Sequence, residues 1–241
     1  MFLVTGASSG IGKATTVELL NRGLSVLAVA RNATAIQKLE QPDSNNLHVV
    51  SADLSTESGL TKVIEAAGEH SPLQGVIHAA GSPVELMAYQ KLATDDVAYH
   101  FNVHVLAPIA LNQRLQLGDH HCRIVYIDSY SATALRVGWS AYSMVKAAAQ
   151  MSARAAAAEL QYAKVIRIFP GAVRTALVET VLSAKEKSPT SQVFKALDAD
   201  GSMVEPVVAG KFIADIVLDA TDEQLNVREF WDFTNTDDHL S

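Results

Sequence analysis

The chain has 241 residues, a net charge of −7, and 49% hydrophobic against 19% charged residues. That length allows one large α/β domain with a sizeable core, and that composition excludes a disordered chain. With no basic stripe, nucleic acid is excluded as the expected partner, and the single cysteine, Cys122, excludes an intrachain disulfide and a cysteine-rich zinc site.

The chain starts on an apolar run, Met1 to Thr5, with no basic region ahead of it of the kind a signal sequence needs. No run of about 18 apolar residues follows anywhere, so no membrane span is expected and a cytoplasmic location is the default. Next comes Gly6-Ala7-Ser8-Ser9-Gly10-Ile11-Gly12, then a helical pattern with Ala14, Val17, Leu19 and Leu20 as apolar positions. Strand, glycine turn and helix together bind the phosphates of a nucleotide. Glycines let the backbone approach a pyrophosphate, and the helix start offers free N–H groups at the positive end of its dipole.

A second strand, Ser25 to Ala30, ends in Ala30-Arg31-Asn32. A carboxylate there would select NAD; an arginine accommodates the 2′-phosphate of NADP, so Arg31 argues for NADP(H). A helix from Ala33 to Glu40 and a polar turn over Pro42 to Asn46 lead to a third strand, Leu47 to Ser51. Asp53, with Leu54 beside it, is placed to accept a hydrogen bond from an adenine amino group; it can equally satisfy nearby loop N–H groups. Ser55 is the expected N-cap of a helix over Glu57 to Ala67.

The fourth strand, Gly75 to Ala79, runs into Ala80-Gly81, where small residues again permit close backbone approach. Ala93 to Leu117 reads as one long helix with a kink or break near Pro108, carrying Asn102 as a candidate relay residue. Cys122 reads as a small buried residue beside the fifth strand, Arg123 to Ile127.

That strand leads to Ser129, and a helix over Trp139 to Gln161 carries Tyr142 and Lys146. Tyr142 and Lys146 are four apart and share a helix face, so a hydroxyl, a phenol and an ammonium can meet. A phenol with a reference pKa of about 10 is a poor acid near neutrality; a nearby ammonium is expected to lower it. The sixth strand, Lys164 to Phe169, ends at Pro170-Gly171-Ala172-Val173-Arg174-Thr175. Ala176 to Gly201 is weakly patterned and reads as a lid over the site, with Leu177, Val178, Val181, Leu182, Val193, Phe194 and Leu197 suited to a non-acidic organic carbonyl. Pro206 to Ala220 reads as a helix and Val227 to Phe233 as the last strand. Strands alternating with helices imply a single domain, residues 1–241. Its core is a doubly wound parallel sheet of about seven strands with ligands at the strands' carboxyl ends.

The pieces Thr5-Gly6-x-x-x-Gly10-Ile11-Gly12, Asp53, Ala79-Ala80-Gly81, Asn102, Ser129, Tyr142-x-x-x-Lys146 and Pro170-Gly171-x-Val173-x-Thr175, in this order, resemble the short-chain dehydrogenase/reductase family over nearly the whole chain. His78 departs from it, standing where the family often has asparagine. The strand end Ala30-Arg31-Asn32, Gly138-Trp139-Ser140-Ala141-Tyr142 and Phe230-Trp231-Asp232-Phe233 are similar to the sepiapterin reductase and benzil reductase group.

The resemblance implies a Rossmann-type fold and NADPH-dependent reduction of a ketone or dicarbonyl. It implies a catalytic set of Asn102, Ser129, Tyr142 and Lys146. Cofactor contacts would come from Gly6, Ser8, Ser9, Gly10, Ile11, Gly12, Arg31, Asn32, Asp53, Leu54, Ala79, Ala80, Gly81, Tyr142, Lys146, Pro170, Gly171, Val173 and Thr175. Within that set Lys146 would hold the nicotinamide ribose, Asn102 a water between Lys146 and solvent, and Val173 and Thr175 the carboxamide. The lid would span about 176–204, no metal is implied, and the assembly would be a homodimer or homotetramer through the two long helices. Two rivals remain: an NAD-linked alcohol dehydrogenase of the same fold, and an NADP-binding regulator without turnover.

Overall fold

The computed structural model describes residues 1–37, 44–82, 84–118, 122–184, 188–228 and 230–240. Runs such as Val26-Leu27-Ala28-Val29-Ala30 have no polar face, and a strand of that kind needs both faces covered. The structure supplies this with one all-parallel sheet. Its strands are β1 (Phe2–Thr5), β2 (Val26–Ala30), β3 (Leu47–Ser51), β4 (Gly75–His78), β5 (Cys122–Ile127), β6 (Ala163–Phe169) and β7 (Phe230–Asp232), in the order β3-β2-β1-β4-β5-β6-β7.

Alternation along the strands sorts side chains to two faces. Phe2, Val4, Val26 and Ala28 join one core with Leu19, Leu20, Phe212 and Ile216. Leu3, Leu27 and Val29 join another with Leu60, Val63 and Leu111. The first face is covered by α1 (Gly10–Asn21), α9 (Pro206–Asp219) and the short α10 (Asp222–Val227), the second by α3 (Glu57–Gly68) and α5 (Ala107–Arg114). Helices α1 and α9 cross closely: a Cβ added at Gly210 would come within 2.6 Å of the Ala14 backbone.

The chain order leaves β1 and returns to it from the other side at β4, which opens a crevice between the carboxyl ends of β1 and β4. The expected elements are present, with shifted edges. Helix α2 is described over Ala33–Gln37; residues 38–40 of the expected helix and Pro42 and Asp43 of the expected turn lie outside the described residues, while Ser44–Asn46 form a 3-10 turn. The N-cap of α3 is Thr56, not Ser55: its Oγ1 accepts from Gly59 N–H, whereas Ser55 bonds back to Asp53. The lid region holds α7 (Ala176–Leu182) and α8 (Pro189–Ala199), with 185–187 outside the described residues. β7 is shorter than expected because α10 occupies the approach to it.

The expected long helix over Ala93–Leu117 is three pieces. α4 (Thr94–Phe101) and α5 are joined by a π-helical stretch, Asn102–Leu106. An α-helical register would ask Pro108 to donate to the His104 carbonyl, and proline has no N–H. The chain widens instead: Ala107 N–H donates to Asn102 O, five residues back.

Candidate active site

A cleft of about 270 Å³ lies at the carboxyl ends of the strands and runs from the first glycine turn to the helix α6 (Ser140–Glu159). Its first wall is the turn after β1. Gly6 and Gly10 take φ of 69° and 52°, in the left-handed region that suits glycine. A Cβ at Gly6 would stand 2.7 Å from Ala79 O, so the turn lies directly on the end of β4. Thr5 fixes this contact: its Oγ1 accepts from Ala79 N–H at 3.1 Å and Ala80 N–H at 3.0 Å. Gly12 sits beneath, where a Cβ would be 2.5 Å from Gly6 O. The N-cap of α1, Ser9, is extended and makes no side-chain cap bond, which leaves the donors of the first turn to a ligand. A pyrophosphate fits such a turn: close backbone, free N–H groups and the positive end of a helix.

Further along the cleft, Arg31 stands at the end of β2 and donates from Nη1 to Tyr99 Oη at 2.8 Å. Asn32 turns away and accepts from Ala35 N–H, opening α2. Asp53 lines the cleft with Leu54, and its Oδ1 accepts from Ser55 N–H and Oγ–H at 2.9 and 2.8 Å. One carboxylate oxygen is therefore spent on closing the loop.

Ser129, Tyr142 and Lys146 come together at the far end. Tyr142 and Lys146 are buried on one face of α6, with Lys146 Nζ 5.9 Å from the Tyr142 ring centre. The Ser129 hydroxyl, which accepts from Ser131 N–H at 3.2 Å, is near enough to the Tyr142 phenol to act on its acidity. Trp139 stacks on Tyr142 at 4.2 Å between ring centres, 20° from parallel, and donates from Nε1 to Val84 O at 2.7 Å. It is therefore core, only 2% exposed, whereas Tyr89 stands out in solvent.

The acidity of the phenol departs from expectation. Burial pushes Tyr142 up to about 12; the Ser129 hydroxyl offsets part of this and the Asp128 carboxylate adds to it. Lys146 is not among the groups that shift it; its Nζ donates to Ile127 O at 2.8 Å, and its own value falls to about 8, by burial first, with Asp128 opposing. Beneath the site, Asp128 accepts from Ser129 N–H at 2.7 Å, Arg167 Nη1 at 3.0 Å and Gln150 Nε2 at 3.1 Å.

Of the expected contacts, Gly6, Ser8, Ser9, Gly10, Ile11, Arg31, Asp53, Leu54, Ala79, Ala80, Gly81, Tyr142, Lys146 and Thr175 line the cleft. Pro170, Gly171 and Val173 stand behind it; Val173 is core, bridged to Val204. Asn102 is half-buried at the start of the π-helical stretch, and neither it nor Ser129 is among the residues that line the cleft. His104, two residues on from Asn102, does line the cleft. It is buried, and its Nε2 has no hydrogen-bond partner among the described residues. Leaving such an atom unsatisfied costs roughly 1–3 kcal/mol. His104 was missed because its facing depends on the π-helical register; Pro108 four residues later was the available signal.

Comparison with known proteins agrees with this geometry. The chain is 25% identical over 226 residues to benzil reductase ((S)-benzoin forming) of Bacillus subtilis, covering 89% of this chain and 92% of that protein. It is 26% identical over 236 residues to sepiapterin reductase of Xenopus laevis, covering 89% of each. The crystal structure of the KRED1-Pglu enzyme superposes with a TM-score of 0.85 at 26% identity, over 95% of this chain and 98% of that one. Residues 1–186 match the description "short chain dehydrogenase", a stretch that holds the glycine turn, Ser129, Tyr142 and Lys146. The chain therefore belongs to the short-chain dehydrogenase family of oxidoreductases, whose members work with a nicotinamide dinucleotide.

Proposed function

We propose that this protein is an NADPH-dependent carbonyl reductase acting on a ketone or dicarbonyl. The observation that carries the proposal is the Tyr142 phenol, held protonated by burial, influenced by the Ser129 hydroxyl, and sharing one cleft with the glycine turn. Gly6, Ser8, Ser9, Gly10 and Ile11 would hold the phosphates, Arg31 with Asn32 behind it the 2′-phosphate, and Asp53 and Leu54 the adenine end. Ala79, Ala80 and Gly81 would form the opposite wall, and Val173 and Thr175 would hold the carboxamide, with Pro170 and Gly171 supporting them. When bound, the reduced nicotinamide supplies a hydride.

The rest of the chemistry falls to the chain. Ser129 Oγ orients the carbonyl oxygen. Tyr142 Oη gives up its proton as that oxygen gains negative charge. A phenol with a value of about 12 is fully protonated at neutral pH, which suits the reductive direction. Lys146, at about 8, is mainly an ammonium there, and its charge favours the phenolate as it forms. Val84, Leu86, Leu177, Val181 and Phe194 cluster with Trp139 and Tyr142, giving the substrate end an apolar surface. The segment over about 176–204 serves as its lid.

The protein works in the cytoplasm as a homodimer or homotetramer. Met144 and Met151, 43% and 59% exposed on α6, are the surface on which copies meet. No helix among the described residues is long and apolar enough to cross a membrane.

The test is a panel of carbonyls, including 1,2-diketones and pterins, run with NADPH and with NADH. Wild type is expected to consume NADPH, and Tyr142→Phe to bind NADPH with turnover reduced by at least about 10²-fold. Full turnover by Tyr142→Phe overturns the mechanism. Faster oxidation of the corresponding alcohols with NAD⁺ than reduction of the carbonyls with NADPH replaces it with the NAD-linked dehydrogenase, and no turnover on any arm with a non-catalytic binder.

A further inference from the structure

Three buried histidines stand near the cleft, and two are satisfied. His78 Nε2 bonds Asn112 Oδ1 at 2.9 Å, and His100 Nδ1 bonds Ser82 Oγ at 3.1 Å. His104 is different. Its Nε2 is buried without a partner among the described residues, on the wall of the cleft that holds Tyr142 and Lys146. Its position is enforced from two sides. The π-helical stretch turns it inward, and Gly81 makes room for it: a Cβ there would stand 2.9 Å from His104 Cε1. A histidine that is merely core is satisfied or excluded. This one is unsatisfied, on a residue of the cleft wall whose ring feels the Lys146 charge.

We infer that His104 is the proton relay of this site, returning to Lys146 and Tyr142 the proton that each turnover removes. The inference rests on the carbonyl reductase reading above. In each cycle the Tyr142 Oη–H bond breaks as the product O–H bond forms. An N–H of Lys146 then restores the phenol. His104 releases the proton on one ring nitrogen to Lys146 through a water and takes one from solvent on the other, so one proton enters per turnover and the ring ends as the opposite neutral tautomer, which exchange with water resets before the next cycle.

The outward path is marked by His100, whose ring centre lies 6.3 Å from that of His104. The groups that act on the ring are known. Burial, the Lys146 ammonium and His100 all hold His104 well below 6.5, so the relay works as a neutral imidazole. Asp128 acts on Lys146 and Asp96 on His100, each raising its neighbour's value against burial. His104 touches no reacting atom in this scheme; it is a positioning and relay residue.

The experiment compares wild type, His104→Ala and His104→Gln in NADPH-dependent reduction, with thermal unfolding as the check on folding. His104→Ala is expected to lose about tenfold or more in kcat, with KM and NADPH affinity within about twofold. Added imidazole is expected to restore part of that kcat in His104→Ala and none in His104→Gln, whose amide cannot carry the proton and leaves no space. In the free protein, NMR titration of His104 is expected to show a midpoint below 6.5 that rises in Lys146→Met, where the repelling charge is gone.

Unchanged kcat in either His104 variant overturns the inference. So does a loss that imidazole leaves untouched, or a His104 midpoint indifferent to Lys146→Met. If His104→Ala does not fold, the kcat of His104→Gln and the NMR titration decide. A wild type that reduces no carbonyl overturns the proposed function, whereas an active wild type matched by its His104 variants overturns this inference alone.

Discussion

Tyr142 and Lys146 move in opposite directions from their ordinary values, the phenol up to about 12 and the amine down to about 8. Both shifts have the same first cause, since burial disfavours whichever form carries charge. The pair was legible in the sequence because four residues on a helix share a face. Ser129 was legible because a strand of buried residues ends just before it. The balance of burial against charge was not legible, because spacing says nothing of how dry a site is.

Arg31 belongs at this scale too. It is exposed, and its guanidinium bonds Tyr99 Oη among the described residues, so a phosphate can draw it over without breaking a buried pair. Arg31→Ala is expected to weaken NADPH binding by about 1.5–3 kcal/mol, roughly ten- to a hundredfold, and leave NADH within about twofold. Fluorescence titration of both dinucleotides checks this; an equal loss for both removes Arg31 from the 2′-phosphate.

Helix α3 shows how an element is tied to the site it serves. Its first turn packs on the loop that carries Asp53, so tightly that a Cβ at Gly59 would stand 1.9 Å from Asp53 O. Backbone, not a flexible side chain, blocks that space. Gly59→Ala is expected to destabilise the fold by about 1–3 kcal/mol through overpacking. Urea unfolding at fixed pH reads the loss, and an unchanged midpoint would mean that the loop gives way freely.

Elements as such were readable from runs of apolar residues bounded by polar turns, and β3 was placed to the residue. Edges were less readable, because Ser55 and Thr56 are both cap residues by type and both hydroxyls donate to Asp53, Ser55 to its carboxylate and Thr56 to its carbonyl, while only Thr56 also accepts from Gly59 N–H. The three-piece helix around Pro108 was half legible. A proline predicts a break, but whether the chain kinks or widens depends on what packs beside it.

For the whole molecule, the buried histidines set the acid limit. Burial lowers His78 to about 4, and His48, His100 and His104 are lowered as well. As pH falls below 6.5 the unfolded chain takes up protons that the folded chain refuses, so stability is lost between 6.5 and about 4. His78 alone accounts for roughly 3 kcal/mol over that window. Urea unfolding at about pH 7 and about pH 5 is expected to show this fall and a smaller one in His78→Asn; equal falls would assign it to other groups. The sheet order and the cleft followed from alternation of strand and helix, which is why the overall architecture was the most legible part of the chain.

The widened turn between α4 and α5 contains one peptide unit more than an α-helical path would use. Deleting any single position from 102 to 106 would let the coil close up with α4 still in register, and would place Pro108 where an α-helix needs the N–H it lacks. This stretch therefore tolerates exchanges of one side chain for another more readily than a change in its count.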